Sequence, residues 1–445
     1  MPPRTLLTAG AVKLRGHTDE VACVAWQPGD ELLATGSQDG TVRLWDLRRP
    51  GTPVVVVEMG GRVNCLSWTG DGRLLGIGGR FGEAAVWSRA GGNVVGLEGH
   101  TAMIVVIQFN GSGSLVVTTS EDRTYRVWKA ETGTCQQVVT TADPGALDGA
   151  ICLAWRDEKE FFLGEGATIL RCKVAEDKPV GVLTGHTNWV TSLAWDPRGG
   201  ILASGSIDQT VRTWRPDAAS PAWAILASHD GGVWEVVWRP GQPGILASFS
   251  GDVQKVKIWD ASEQNCLHTL ACAPGSEYTV GMSGAGYISF SADGQQLAAG
   301  GQEARVWRAE TGDLALVSQV AADTVDYSPK GYSLAAASLG DTVVRVFGLD
   351  IRLKALAAQT VAACIRDNDR EGEEDGKGEE AGEKEEPRPP ESSRSCAYIQ
   401  RLHCQPKALN KQPVVCLFVD LFPWYMGRIS TILSHSSVFR TFLSK

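Results

Sequence analysis

Apolar residues along this chain fall in short runs separated by glycine, aspartate and proline turns, and the runs repeat. Val21-Ala22-Cys23-Val24-Ala25-Trp26 reads as a buried strand, and Gln27-Pro28-Gly29-Asp30 as the turn that ends it. Leu32-Leu33-Ala34-Thr35-Gly36-Ser37 is the next strand, and Asp39-Gly40 is a two-residue hairpin signal. Thr41-Val42-Arg43-Leu44-Trp45-Asp46 then alternates between inward and outward positions and closes the unit. Aromatic residues mark its recurrence in two interleaved ladders about 43 residues apart. The first ladder is Trp26, Trp68, Phe109, Trp155, Trp195, Trp238, Phe290 and Tyr327. The second follows by 17 to 21 residues: Trp45, Trp87, Trp128, Cys172, Trp214, Trp259, Trp307 and Phe347. Eight paired rungs predict eight copies of one unit, and a period of roughly 40–45 residues is that of propeller blades. A blade is a four-stranded sheet that cannot bury both faces alone, so blades stack radially. The expectation is an all-β chain with a single closed eight-bladed β-propeller over residues 1–350.

The units differ in quality. Gly16-His17, Gly99-His100 and Gly185-His186 each precede a Trp by 28 residues, counted from the His. His229 to Trp259 is two residues longer. Unit two has Gly60-Gly61 where Gly-His is expected and Phe81 in place of the turn Asp; unit four has Gly166 and Cys172. Unit seven lacks both His and Asp, and unit eight keeps Asp341 but ends on Phe347. No convincing fourth strand follows Val344-Arg345-Val346-Phe347, whereas Ala11-Val12-Lys13-Leu14-Arg15 is an unclaimed strand. The expectation is that this N-terminal strand completes blade eight and latches the ring, removing exposed edges.

After Asp350 the pattern stops. Residues 351–365 read as a short helix, and 366–395, rich in Glu, Gly, Pro and Ser, as a disordered acidic linker. Residues 396–445 form an apolar, basic tail of unassigned order. It has two open readings, a partner-binding segment or an artefact of gene prediction or splicing.

Charge is uneven. The total is −9, but residues 366–391 hold 12 acids and 5 bases, and residues 392–445 hold 7 bases and Asp420. The propeller region is therefore −8, without a strong overall field for phosphate backbones, so no direct nucleic-acid binding is expected. No apolar run is long enough to span a bilayer, so no membrane association is expected, and the start lacks a signal-peptide core. Eleven cysteines with no C-x-x-C, mostly inside apolar strands, suit buried thiols in a reducing compartment, cytosol or nucleus.

His, Ser/Thr and Asp together resemble a hydrolase triad. Here they recur: His17, Thr35, Asp39 with Trp45; His100, Thr118, Asp122 with Trp128; His186, Ser204, Asp208 with Trp214. A catalytic site is normally unique, whereas a structural device repeats. These twelve residues are therefore read as structural tetrads in which each buried polar group finds a partner, and no catalytic residue or enzyme activity is expected. Cys396, His403, Cys404 and Cys416 match no common zinc spacing, so no metal site is assigned. Gly78-Gly79 and Gly300-Gly301 are not followed by a helix with GK[ST], so no phosphate loop and no cofactor is expected.

Function is expected on the rim at one end of the ring, just after the Gly-His position and just before the turn Asp. The partner-binding candidates there are Glu20, Gln38, Arg62, Asn64, Met103, Glu121, Trp189, Thr191, Ile207 and Trp234. Trp189 and Trp234 lie outside both ladders. Each is open to two readings, an interface anchor or a side chain packed over its own strand or a neighbouring blade.

The blade grammar is that of WD repeats. The stretch from Ala154 to Trp214 resembles the middle of transducin beta-like corepressor subunits, the F-box-like/WD repeat family. That family also has a degenerate fourth blade with Cys-Lys where Trp-Asp stands elsewhere, here Cys172-Lys173. Glu176-Asp177-Lys178-Pro179, Gly185 to Asn188 and Trp195 to Pro197 continue the likeness, and Leu14 to Leu47 looks like the family's first blade. The resemblance covers residues 11 to about 350 and agrees with eight blades. It lacks the LisH dimerisation motif and F-box-like region that precede the propeller in that family, so their activities are not carried over. The resemblance implies a non-catalytic scaffold, monomeric inside a larger complex, nuclear and also cytoplasmic. Its implied partners are corepressor and histone-deacetylase subunits and histone tails. A ubiquitin-ligase substrate adaptor and a generic scaffold in RNA processing are the alternatives.

Overall fold

The computed structural model describes residues 5–6 and 11–348, apart from 30–31, 48–52, 141–151, 219–222, 252, 273–286, 302, 319–320, 332 and 339. The expected helix at 351–365, the acidic linker, the tail and its Cys/His cluster lie outside the described residues.

The described residues form eight sheets, each built on four antiparallel strands, with a fifth strand added to one of them. Blade one runs Val21–Trp26, Leu32–Ser37, Thr41–Asp46, Val54–Glu58 from the inside of the ring outward. The inner strands of the later blades are Val63–Trp68, Ile104–Phe109, Cys152–Trp155, Val190–Asp196, Glu235–Trp238, Ile288–Phe290 and Thr324–Tyr327. The two aromatic ladders are two columns of one cross-strand row. Trp26 pairs with Leu33, which pairs with Trp45. The same register gives Trp68–Leu75–Trp87, Trp195–Leu202–Trp214 and Tyr327–Leu334–Phe347. In every blade the central member of the row is fully enclosed: Leu33, Leu75, Val116, Phe161, Leu202, Leu246, Leu297 and Leu334 are all 0% exposed. Each large apolar side chain of this row contributes about 1.5–3 kcal/mol by its removal from water.

First-ladder indoles also join neighbouring blades. The Nε1–H of Trp68 donates to the Ala25 carbonyl at 3.2 Å, Trp155 to Gln108 at 3.2 Å, and Trp238 to Ala194 at 2.9 Å. Trp26 donates to Asp326 at 2.9 Å, which ties blade one to blade eight. In each case the acceptor directly precedes the ladder residue of the previous blade. A buried indole N–H needs such an acceptor.

Blade eight takes its outer strand from the start of the chain. Val12–Arg15 pairs antiparallel with Val343–Gly348, Val12 opposite Val346 and Leu14 opposite Val344. Thr5–Leu6 does something the sequence did not suggest: it adds to Leu314–Val317 as a parallel fifth strand on blade seven. One placement is corrected. Met59, not the Gly60-Gly61 pair, occupies the blade-two His position. Its N–H bonds to the Gly40 carbonyl at 2.7 Å, as the His229 N–H bonds to Gln209 at 2.8 Å in blade six. The glycine pair belongs to the loop that follows.

Candidate functional site: the tetrad end of the ring

The loop entering each inner strand and the turn between the second and third strands meet at the same end of the ring. Three of these junctions carry complete tetrads. His186 Nδ1 lies 2.8 Å from Asp208 and its Nε2 2.7 Å from Ser204 Oγ, which accepts the Trp214 indole N–H at 2.9 Å. His17 repeats this with Asp39, Thr35 and Trp45 at 2.9, 2.7 and 2.9 Å. His100 repeats it with Asp122, Thr118 and Trp128, each at 2.8 Å. The turn carboxylate does more than orient the ring. Asp208 also accepts the Thr210 hydroxyl at 2.6 Å and the backbone N–H groups of Thr210 and Thr187 at 2.9 and 3.0 Å.

Electrostatics follow from this enclosure. Burial lowers the pKa of His17, His100 and His186, and the paired aspartates only partly oppose it. Burial alone would raise Asp208, but the bonds from Thr210, Thr187 and His186 outweigh it and bring the carboxyl down to about 2. The constellation is thus a neutral imidazole holding a fixed anion, repeated around the ring. Each His ring is fully enclosed, with 0% of the side chain exposed. That geometry fastens the entering loop to the turn of the same blade.

Blade four has no tetrad. At the opposite end it carries an ion network instead. Glu160, 5% exposed, accepts from Arg156 at 2.9 Å and Arg171 at 2.6 Å. Both arginines reach Asp217 of blade five, at 2.5 and 3.2 Å, and Arg156 also lies over the Trp195 ring. Charge identity at these positions is visible in the sequence, but their convergence depends on blade packing.

Two half-buried carboxylates line the inner strands. Glu235 accepts the N–H groups of Tyr287 and Ile288 at 2.5 and 2.8 Å, bridging blades six and seven. Burial pushes its pKa up to about 8 against those bonds, and the nearby Asp326 adds to the rise. Asp326, raised by burial to about 7, accepts the Trp26 N–H at 3.1 Å. Groups with raised acid pKa values bind protons more tightly in the folded state. Their stabilisation is therefore full below the ordinary carboxyl range and is lost as pH rises through about 7 to 8. The Glu235→Gln protein should melt several degrees above wild type near pH 9 and close to it near pH 5, by differential scanning fluorimetry. Parallel melting curves across that range would refute the assignment.

The expected rim residues divide into three groups. Glu20 with Gln38, Met103 with Glu121, and Trp189 with Ile207 are neighbours at this end. In each pair the second residue's N–H bonds to the first residue's carbonyl, at 2.8, 3.0 and 2.9 Å. Gln38 also donates its side-chain amide to Glu20 at 2.5 Å. Arg62 pairs in the same way with Arg80, at 3.0 Å. Asn64 and Thr191 serve the seams between blades. Asn64 is buried and reaches the Ile104 carbonyl at 3.5 Å; the Thr191 hydroxyl donates to Val233 at 2.5 Å. Trp234 is half-buried and packs against the core of its own region, with its N–H on the Phe249 carbonyl at 2.8 Å. Phe81, passed over as a binding residue in the sequence, is 64% exposed at this same end. Its signal was an aromatic ring at a turn position that elsewhere holds Asp.

Eight radially stacked sheets, three of them with a complete Trp–hydroxyl–His–Asp tetrad, define a β-propeller that contains WD-type repeats. The WD domain, G-beta repeat family model matches residues 11–46, 91–129 and 177–215, spans that contain all three complete tetrads. The propeller region is 32% identical over 295 residues to the F-box-like/WD repeat-containing protein TBL1X of Mus musculus, covering 61% of this chain and 55% of that protein. TBL1Y of Homo sapiens is also 32% identical over 295 residues, with 56% of that protein covered. The chain thus spans about half the length of these relatives. Among solved structures, the C-terminal WD40 domain of Sif2 superposes with a TM-score of 0.63 at 20% identity, covering 76% of this chain and 98% of that one, a likeness of fold.

Proposed function

We propose that this protein is a non-catalytic scaffold subunit of a nuclear histone-deacetylase corepressor assembly, docking partner segments on the tetrad end of the ring. The observation that carries the reading is an eight-bladed ring at 32% identity to F-box-like/WD repeat proteins through the propeller. The degenerate fourth blade, with Cys172-Lys173 in the ladder position, supports it. Repetition of the tetrads argues for scaffolding, since each triad-like set has the same enclosed geometry. Trp189, half-buried beside Ile207, is the rim tryptophan best placed to anchor a partner.

Affinity purification of the full chain from its own cells, with quantitative mass spectrometry, tests this against a Trp189→Ala variant. Corepressor and deacetylase subunits should be recovered with wild type and fall at least about fivefold with the variant. Cullin machinery would overturn the reading in favour of a ubiquitin-ligase adaptor, and RNA-processing factors in favour of a different scaffold.

A further inference from the structure

Blade two has lost its tetrad in a particular way. Met59 stands at the His position and Phe81 at the Asp position, so both ends of the polar link are apolar. The turn survives by another device: Glu83 accepts the Phe81 N–H at 2.9 Å. Freed from the tetrad, the Phe81 ring lies on the backbone of Gly61. A Cβ at Gly61 would come within 2.4 Å of that ring. The ring is therefore seated on one side and open on the other, 64% exposed. Among the described residues it is the one large aromatic side chain left mostly open.

Two arginines flank it. Arg62 follows Gly61, Arg80 precedes Phe81, and the Arg80 N–H bonds to the Arg62 carbonyl at 3.0 Å. Neither forms an ion pair among the described residues. The Nε–H of Arg62 is enclosed without an acceptor. A buried guanidinium N–H with no acceptor is costly. Arg43 and Arg212 donate Nε to Thr41 and Thr210, whereas Arg126 and Arg305 share the condition of Arg62, so it is the open ring beside Arg62 that sets this place apart.

We propose that Phe81, Arg62 and Arg80 form the docking centre of the tetrad end, and that it takes an acidic peptide segment with an aromatic side chain. The ring of the partner covers Phe81, and its carboxylates meet the two arginines in bidentate fashion. An acidic peptide is favoured over a nucleic-acid strand. A nucleic-acid strand draws its affinity from many phosphate contacts, and two arginines supply few, whereas two guanidinium groups beside an open ring match a short segment with a few carboxylates and one aromatic side chain. The inference rests on the reading of this end as a docking face and goes further, by naming the residues and the ligand chemistry.

The test is fluorescence anisotropy with the full chain and two labelled octapeptides. One is Gly-Glu-Asp-Glu-Phe-Glu-Asp-Gly; the other has lysine at every acidic position. The acidic peptide should bind at least about tenfold tighter, and more weakly as salt rises. Phe81→Ser and Arg62→Gln/Arg80→Gln should each weaken it about tenfold while leaving the melting temperature within about 2 °C, since the turn and tetrads elsewhere are untouched. If Phe81→Ser unfolds the blade, Phe81→Leu, which keeps the apolar contact with Gly61, is the second variant and should weaken binding by severalfold. Equal affinity for both peptides, or full binding by the Phe81 and arginine variants, overturns the proposal. So does tighter binding of a labelled oligouridylate with the same residue dependence. Failure here with corepressor subunits still recovered from cells would refute this centre alone. Peptide binding without those subunits would refute only the assembly.

Discussion

Removal of residues 1–15 should lower the melting temperature by about 5–10 °C and make the protein self-associate as its concentration rises. The reasoning starts from Leu14, 5% exposed and packed with Val344, Val346, Trp26 and Trp45. Losing that side chain costs about 1.5–3 kcal/mol in burial alone. The ladder from Val12–Val346 to Arg15–Val343 goes with it, and the edge of Val343–Gly348 is left open. Blade eight would keep three strands, and its polar seam with blade one would rest on Trp26, through bonds to the Asp326 carbonyl and carboxylate, and on the Val21 N–H, which donates to the Asp341 carbonyl at 3.1 Å. An unpaired edge of alternating valines is a template for another chain. Leu14→Asp offers a milder form of the test, with the backbone pairing kept. It should cost at least as much as burial of Leu14 contributes, without promoting association. Unchanged melting and a monomer on size-exclusion chromatography after the deletion would show that closure does not depend on this strand.

Such contacts differ in how far the sequence reveals them. The aromatic ladders were legible because cross-strand register is a local consequence of hairpin length. Trp26, Leu33 and Trp45 fall in one row once two short turns are fixed. The tetrads were legible for the same reason, since a constant spacing from His to Trp brings the same four groups together in blades one, three and five. Met59 was not, because the adjacent Gly60-Gly61 pair imitates the usual Gly-His entry and only the backbone bond to Gly40 fixes the register. Contacts across seams were beyond reach as well. Glu160 and Asp217 are 57 positions apart and share two arginines only after blades four and five stack. Asn64 reads as a rim polar residue, yet blade packing buries it against Ile104. The short parallel strand Thr5–Leu6 has too few residues to show any period. Phe81 illustrates the converse: its departure from the repeat was visible, while its exposure depended on how the Gly61 backbone receives the ring.

The His186→Ala protein should be less stable than wild type by about 2–4 kcal/mol near neutral pH, a fall of about 3–6 °C in melting temperature. The imidazole fills a fully enclosed space, so truncation leaves a cavity and removes a partner from both Ser204 and Asp208. The loss is bounded because Asp208 keeps Thr210 and Thr187, and Ser204 keeps the Trp214 indole. A dependence on pH separates this account from a simple cavity effect. His186 has a lowered pKa in the fold, chiefly from burial. The unfolded chain therefore takes up a proton at a higher pH than the folded chain does. Stability falls as pH drops below about 6.5 toward the folded value, and this part of the fall belongs to the imidazole. Deleting the ring removes that part, so the gap between wild type and His186→Ala should narrow from pH 7.5 toward pH 5.5 when measured by thermal unfolding at both values. A gap that stays constant would mean that the imidazole does not remain neutral in the fold. No gap at either pH would remove the structural role of the tetrad and return His186, Ser204 and Asp208 to consideration as a reactive site.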